Sequence, residues 1–137
     1  MDQLKYRQES DRWYQQSVAD LSAARNSLAS GNYEWSCFQA QQAGEKALKA
    51  LWLFHAGEPW GHSLVKLVID FPVAGLKQAL ERFENPAKRL DKLYIPTRYP
   101  NGLPDMIPAQ VYTAAEAEAA IKDADWLLAE IRKMMQG

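Results

Sequence analysis

The stretch after Thr113 constrains the fold more than any other. Thr113 and Glu116 stand at the spacing of a capping box, in which a hydroxyl and a carboxylate each satisfy an otherwise orphaned backbone N–H at a helix start. Behind them Ala114, Ala117, Ile121, Ala124, Leu128, Ile131 and Met135 recur at intervals of three and four. That is one continuous apolar stripe over about six turns. A helix with such a stripe must lie along other helices, and the alanines in it let a neighbour come close.

The rest of the chain repeats the helical theme. From Asp11 to Ser30, Tyr14, Val18, Leu21 and Leu28 keep a four-three rhythm interrupted by Arg25, with Asp11 as the expected N-cap and Gly31 as the stop. A second helix is expected from about Tyr33 to His55, carrying Trp35, Phe38, Leu48, Leu51 and Trp52 and ending at Gly57, because Glu58-Pro59 does not continue it. The Gly31-Asn32 connection is so short that the two helices must be antiparallel neighbours. Ser63 reads as the cap of a short helix through Asp70, Pro72 as a first-turn residue of another through about Phe83, and Asn85-Pro86 as the opening of a third to about Leu93. No β-alternation persists. The expected fold is all-α, an antiparallel up-down helical bundle of four to five helices, with a long proline-rich loop before the C-terminal helix. Residues 1–137 form one domain, since this length leaves no room for a second core.

Composition excludes several classes. Hydrophobic residues at 47% suffice for a core, so disorder is not the default. A net charge of −1 argues against coating nucleic acid through a broad basic face, while leaving room for a local anion site. The longest apolar run falls well short of the ~20 residues that span a bilayer, and the MDQLKYRQESDR start is too polar for a signal peptide. Cys37 is the only cysteine, so no intrachain disulfide forms, which fits a cytoplasmic location. The five tryptophans and six tyrosines point to some aromatic surface left for a partner, such as a second copy.

Two places resist a purely structural reading. In the second helix, residues 38, 42, 45, 49 and 52 share a face, yet Gln42, Glu45 and Lys49 interrupt its apolar character. They make either a hydrogen-bonded layer, a solvated face or a polar pocket. The other place is Leu90 to Pro108, which holds four of the seven prolines, at 96, 100, 104 and 108. Those prolines forbid helix continuation and favour extended geometry. Loops this long in a bundle are uncommon and often functional. Tyr94, Ile95, Tyr99, Leu103, Met106 and Ile107 argue that the loop docks on the bundle. Arg98 either pins it by pairing with a carboxylate such as Glu45 or clamps a phosphate, with tyrosine free to stack a base.

Enzymatic templates are missing: there is no Gly-x-Ser-x-Gly elbow, Gly-Lys-Ser/Thr phosphate loop, Gly-x-Gly-x-x-Gly or His-Glu-x-x-His. His55 and His62 with one distant cysteine do not give metal-ligand spacing. No metal and no cofactor are expected.

Three blocks in order carry a resemblance. They are Ala40 to Leu51 (AQQAGEKALKAL), His62-Ser63-Leu64, and Leu90-Asp91-Lys92 followed by Tyr94-Ile95-Pro96-Thr97-Arg98-Tyr99-Pro100. Together they resemble the HEPN family (higher eukaryotes and prokaryotes nucleotide-binding), in its prokaryotic stand-alone branch, over about Trp13 to Ile131. The resemblance implies a helical bundle, commonly a homodimer, often encoded beside a minimal nucleotidyltransferase, sometimes as a toxin–antitoxin pair. Many members are metal-independent ribonucleases that carry an arginine followed four to six residues later by a histidine. This chain lacks that motif: its arginines are at 7, 12, 25, 82, 89, 98 and 132, its histidines at 55 and 62, and residues 102–105 after Arg98 read Gly-Leu-Pro-Asp. The expectation is therefore a non-catalytic module that binds a nucleotide, an RNA or a partner protein. The candidate ligand-binding residues are Gln42, Glu45, Lys46, Lys49, His62, Lys92, Tyr94, Arg98 and Tyr99. Two alternatives stay open: a ribonuclease toxin in which His62 or Tyr99 replaces the missing histidine, and a purely structural subunit.

Overall fold

A computed structural model describes residues 2–136. In chain order it contains α1 (Gln3–Ala29), α2 (Tyr33–Phe54), α3 (Leu64–Ile69), α4 (Lys77–Leu80), α5 (Glu84–Asp91), α6 (Pro108–Val111) and α7 (Ala114–Met134), and no strand among the described residues. Three helices are long and the rest are short. None is long and apolar enough to cross a membrane.

The first helix starts earlier than its apolar rhythm suggests. Asp2, not Asp11, is the N-cap, its carboxylate accepting from the Lys5 N–H at 2.9 Å. Buried serine hydroxyls tie α1 to α2 near both of its ends, Ser10 close to the polar first turns and Ser36 opposite the last. Ser10 Oγ donates to the Ala50 carbonyl at 2.7 Å, and Ser36 Oγ from α2 donates to the Ala24 carbonyl at 2.7 Å. These small buried hydroxyls let the two backbones approach closely, and hydrophobic periodicity does not register them. Val18, which the rhythm places in the core, is 48% exposed. Gly31 turns the chain with φ of +79°, a conformation open to glycine at little cost, and α2 returns antiparallel to α1.

The α2 helix lies at the centre, packed on α1, α3, α5, α6 and α7. Its Ala40, Ala43, Ala47, Leu48 and Leu51 are fully buried with Leu64, Phe83, Leu90, Leu127 and Ile131. The Thr113–Glu116 capping box forms as expected. From it α7 runs back antiparallel to α1, since Arg25 meets Asp125 and Tyr14 reaches the Leu128 carbonyl.

The fourth position of the bundle is filled in pieces. The sequence predicts two helices between Pro72 and Leu93, the second capped by Asn85. Pro72 lies outside any helix, and Asn85 lies within α5. From Ala74 to Asp91 the chain instead alternates 3₁₀ and α turns, and the junction residues Lys77, Leu80, Glu81, Phe83 and Glu84 all keep right-handed helical backbone. A 3₁₀ turn just before α5 relaxes the hydrogen-bond register, so Pro86, with no N–H to give, sits in the first turn of α5 without breaking the run. This ribbon runs antiparallel to α7, held by Arg89 on Asp123 at 2.8 Å and by Arg82 on Glu130.

Candidate functional site

The three blocks of the resemblance converge on one seam. Gly44 on α2 faces Leu64 of α3 and Leu90 of α5 so closely that a Cβ there would lie 2.8 Å from Leu64 Cδ2 and 3.1 Å from Leu90 Cδ1. Any side chain at this position must push the buried Leu64 and Leu90 side chains aside. Asp91, at the end of α5, then caps α3. Its carboxylate accepts from Ser63 Oγ at 2.9 Å, the Leu64 N–H at 2.7 Å and the Val65 N–H at 3.1 Å. Ser63 Oγ accepts in turn from the Lys66 N–H. A negative charge at a helix N-terminus meets the orphaned donors there.

The seam sets the position of His62, one residue before the cap. Its ring stacks on Tyr94 with centroids 4.9 Å apart and planes 18° apart, and its side chain remains 61% exposed. His62 Nδ1 lies 3.4 Å from Glu45 Oε2. That carboxylate is buried and belongs to a polar layer along α2. Lys49 Nζ donates to Glu45 Oε2 at 3.1 Å, Gln41 Nε2 donates to Glu45 Oε1 at 3.3 Å, and Gln42 Nε2 donates to Gln41 Oε1 at 2.8 Å. Lys49 also sits 5.5 Å from the centroid of the Trp13 ring. The Gln42–Glu45–Lys49 face is therefore a hydrogen-bonded layer, mostly answered from within the protein, with His62 as its contact to the outside.

Above it lies an aromatic face built by the proline-rich segment. Residues 92–102 are not extended, as the prolines suggest, but wound into tight turns. Thr97 Oγ1 donates to the Leu93 carbonyl at 2.7 Å, the Arg98 N–H donates to the Ile95 carbonyl at 3.1 Å, and Pro100 opens a 3₁₀ turn. Thr97 is 1% exposed and anchors the turn. Pro108 likewise opens α6, a first-turn position where a missing N–H costs nothing. Arg98 does not pair with Glu45. Its Nε donates to the Tyr94 carbonyl at 2.8 Å, and its guanidinium carbon lies 4.4, 4.6 and 5.2 Å from the ring centroids of Phe38, Tyr94 and Tyr99. The segment thus docks on Phe38, one to two turns before the polar layer, rather than on the layer itself. Trp35 extends the face, edge-on to Phe38 at 6.1 Å.

Seven of the nine candidate residues form a connected set: Gln42, Glu45 and Lys49 in the layer, and His62, Tyr94, Arg98 and Tyr99 above it. Lys46 does not join them. It crosses to α1, where Nζ meets Asp20 at 2.6 Å. Lys92 closes α5 and is exposed, and its side chain makes no hydrogen bond or ion pair to the set among the described residues. Sequence reasoning missed Phe38 as the floor under Arg98, Gln41 as the link inside the layer and Asp91 as the cap. Asp91 is legible as part of a block but not as a cap, because the helix it caps lies 27 residues earlier. His55 is elsewhere, at the end of α2, edge-on to Phe54 and Phe71, and burial, reinforced by Arg7, lowers its pKa from the ordinary 6.5. The Cys37 thiol is buried and pushed up to about 12, chiefly by desolvation, so it is not a nucleophile.

The family model of the HEPN domain matches residues 10–134. The chain belongs to the HEPN family. Three solved structures share its fold. TT1696 from Thermus thermophilus is 41% identical, with a TM-score of 0.83 over 91% of this chain and 97% of that one. ST0689, an archaeal HEPN homologue, is 33% identical, with a TM-score of 0.77 over 93% and 98%. The HEPN domain protein tm0613 from Thermotoga maritima is 27% identical, with a TM-score of 0.67 over 90% and 96%. No curated protein matches the chain. In this HEPN domain the described residues gather no cluster of histidine, cysteine and carboxylates able to hold a metal ion.

Proposed function

We infer that this HEPN domain is a binding module whose working surface is the Phe38–Tyr94–Arg98–Tyr99 face with His62 at its edge. The observation that carries the reading is the state of Arg98. Its Nε and its three aromatic neighbours hold it in place, yet no carboxylate pairs with it among the described residues. A preorganised guanidinium without a counter-ion suits a phosphate, and the half-exposed Tyr99 beside it suits a stacked base. The module would act as a homodimer in the cytoplasm, on a nucleotide or RNA, or against a minimal nucleotidyltransferase partner in a toxin–antitoxin type of pairing. Calorimetric titration with ATP tests the nucleotide half. Wild-type protein binds at millimolar ligand or tighter, and Arg98→Ala weakens binding at least tenfold while the circular dichroism stays helical. Absence of binding to the wild type at millimolar ATP overturns it.

One observation favours a second reading. His62 stacks on the same Tyr94 ring that Arg98 covers, with Nδ1 directed at the buried Glu45 carboxylate. A carboxylate that orients an imidazole, with a guanidinium nearby for phosphate charge, is a workable acid–base set for cleavage of RNA at a ribose 2′-hydroxyl. This arrangement differs from the arginine-then-histidine motif that the chain lacks. An RNA-cleavage assay separates the readings: cleavage abolished by His62→Ala establishes a ribonuclease, and no cleavage by the wild type retires it.

A further inference from the structure

Four of the seven arginines close on carboxylates: Arg12 on Glu9, Arg25 on Asp125, Arg82 on Glu130 and Arg89 on Asp123. Among the described residues Arg7, Arg98 and Arg132 have no carboxylate partner. Arg98 belongs to the face described above. The other two line a single cleft of about 670 Å³ between the N-terminal half of α1, the end of α2 and the end of α7. The cleft opens near Phe54, ~24 Å along α2 from Phe38, so it is separate from the aromatic face.

The cleft combines fixed cations with uncovered apolar surface. Arg7 Nε donates to the Phe54 carbonyl at 3.1 Å, and its guanidinium carbon lies 3.7 Å above the centre of the Phe54 ring. Held by its Nε and by the ring, the group has no hydrogen-bond partner for its two terminal nitrogens among the described residues. Arg132 faces the Tyr14 phenol from the last turn of α7. The Tyr14 hydroxyl is itself fixed, donating to the Leu128 carbonyl at 2.8 Å. The Tyr14 ring, Val18 and Met135 line the cleft with the two arginines, the Met135 sulfur 3.6 Å from Ser10 Oγ. Val18 stands in the apolar rhythm of α1 yet is exposed here. A charged head for the arginines and an apolar body for this floor is what the lining can recognise, and the volume falls within the ~300–1,000 Å³ of small-molecule sites.

The balance of charge sets the class of head group. Asp11 also lines the cleft, accepting from Gln15 at 2.7 Å, and leaves a net charge of one positive from the three ionic side chains. The carbonyl ends of α2 and α7 lie at this end of the bundle and lower that charge, while the amino end of α1, which begins here, offsets part of their partial negative charge and leaves a small positive excess. A polyphosphate would outweigh that excess, whereas a single carboxylate balances the site and can accept two hydrogen bonds from a guanidinium fork. We propose that this cleft binds an organic monoanion, a carboxylate on an aromatic or aliphatic body.

The test uses 2-naphthoate as the probe, its neutral isostere 2-naphthamide and the dianion 2-naphthyl phosphate, on the full chain, by calorimetry and amide NMR. The expected result is one-to-one binding of naphthoate with shift changes centred on Arg7, Tyr14, Val18 and Arg132. Naphthamide binds at least tenfold more weakly, and naphthyl phosphate no tighter than naphthoate. The exposed pair Arg7→Gln/Arg132→Gln loses at least tenfold in naphthoate affinity, whereas Arg98→Ala loses nothing. Should the double variant lose helicity, Val18→Glu provides the check, since a carboxylate in the cleft mouth must expel the probe. The proposal is overturned if naphthoate shifts none of these amides, if naphthamide binds equally well, if naphthyl phosphate binds tenfold tighter, or if binding survives in both variants. Because Arg98→Ala is the control here and the test for nucleotide binding, failure at one site leaves the other standing.

Discussion

Around Ser63 the chain closes a seam in which a carboxylate meets the first N–H groups of α3 and two leucines fill the gap at Gly44, whereas on the neighbouring face, from His62 to Tyr99, rings and a guanidinium stay partly exposed. In the seam, Asp91 takes three donors from α3 and its cap, and Gly44 admits two leucines against the backbone of α2. On the face, Arg98 has aromatic rings and a carbonyl but no anion among the described residues. The two regions share His62, which reaches the buried Glu45 on one side and stacks on Tyr94 on the other. The difference teaches how one sequence block serves two purposes: seam residues fix a geometry, and face residues are held by it while staying available. The same contrast holds at the far end of α2, where Arg7 is held but not neutralised.

Substitutions can break this contrast. The largest effect is expected at Glu45→Ala, which strands Lys49 as a buried charge beside Trp13. Breaking such a pair costs about 3 kcal/mol or more in chemical denaturation. Gly44→Val comes next, at about 2 kcal/mol. Its side chain must displace Leu64 and Leu90, both fully buried, and this outweighs any gain in backbone rigidity. Asp91→Ala leaves the Ser63 cap in place but strips the first two N–H donors of α3 of their acceptor, a loss of ~1–2 kcal/mol. It also loosens His62, visible as faster exchange of the amides at the start of α3. The smallest effect belongs to the face: Arg98→Ala with Tyr99→Ala shifts stability by no more than ~0.5–1 kcal/mol. If that pair destabilised the protein as much as Gly44→Val, the aromatic face would be a structural lock and the contrast would collapse.

Much of the fold is legible from residue order. The capping box at Thr113–Glu116, the Ser63 cap and the antiparallel pairing across Gly31-Asn32 are local events, decided within a few residues by hydrogen-bond chemistry and connection length. The apolar rhythm misplaces the start of α1, because Asp2 caps it and Ser10 ties its early turns to α2 with a hydroxyl rather than apolar bulk. The ribbon from Ala74 to Asp91 reads as separate helices because Asn85-Pro86 looks like a cap in isolation. Packing along α7 carries the helical backbone through it. In the candidate site, residue order points to the polar residues of α2 and to Tyr94, Arg98 and Tyr99, but it leaves Arg98 divided between a carboxylate such as Glu45 and a phosphate. Phe38, an ordinary apolar position on the helix face, carries no signal that it lies under a guanidinium.

The sequence by itself determined the helical class, the long helices and the convergence of three blocks on one family, since periodicity, caps and prolines act over a few residues. Only the tertiary structure decided which cations are neutralised and which are not. Lys46 and Arg98 look alike as exposed charges in the sequence. One finds Asp20 on a neighbouring helix, and the other finds three aromatic rings. A charge is available to a ligand only if no partner from a distant segment has reached it first, and that is a property of the packed bundle, not of local chain order.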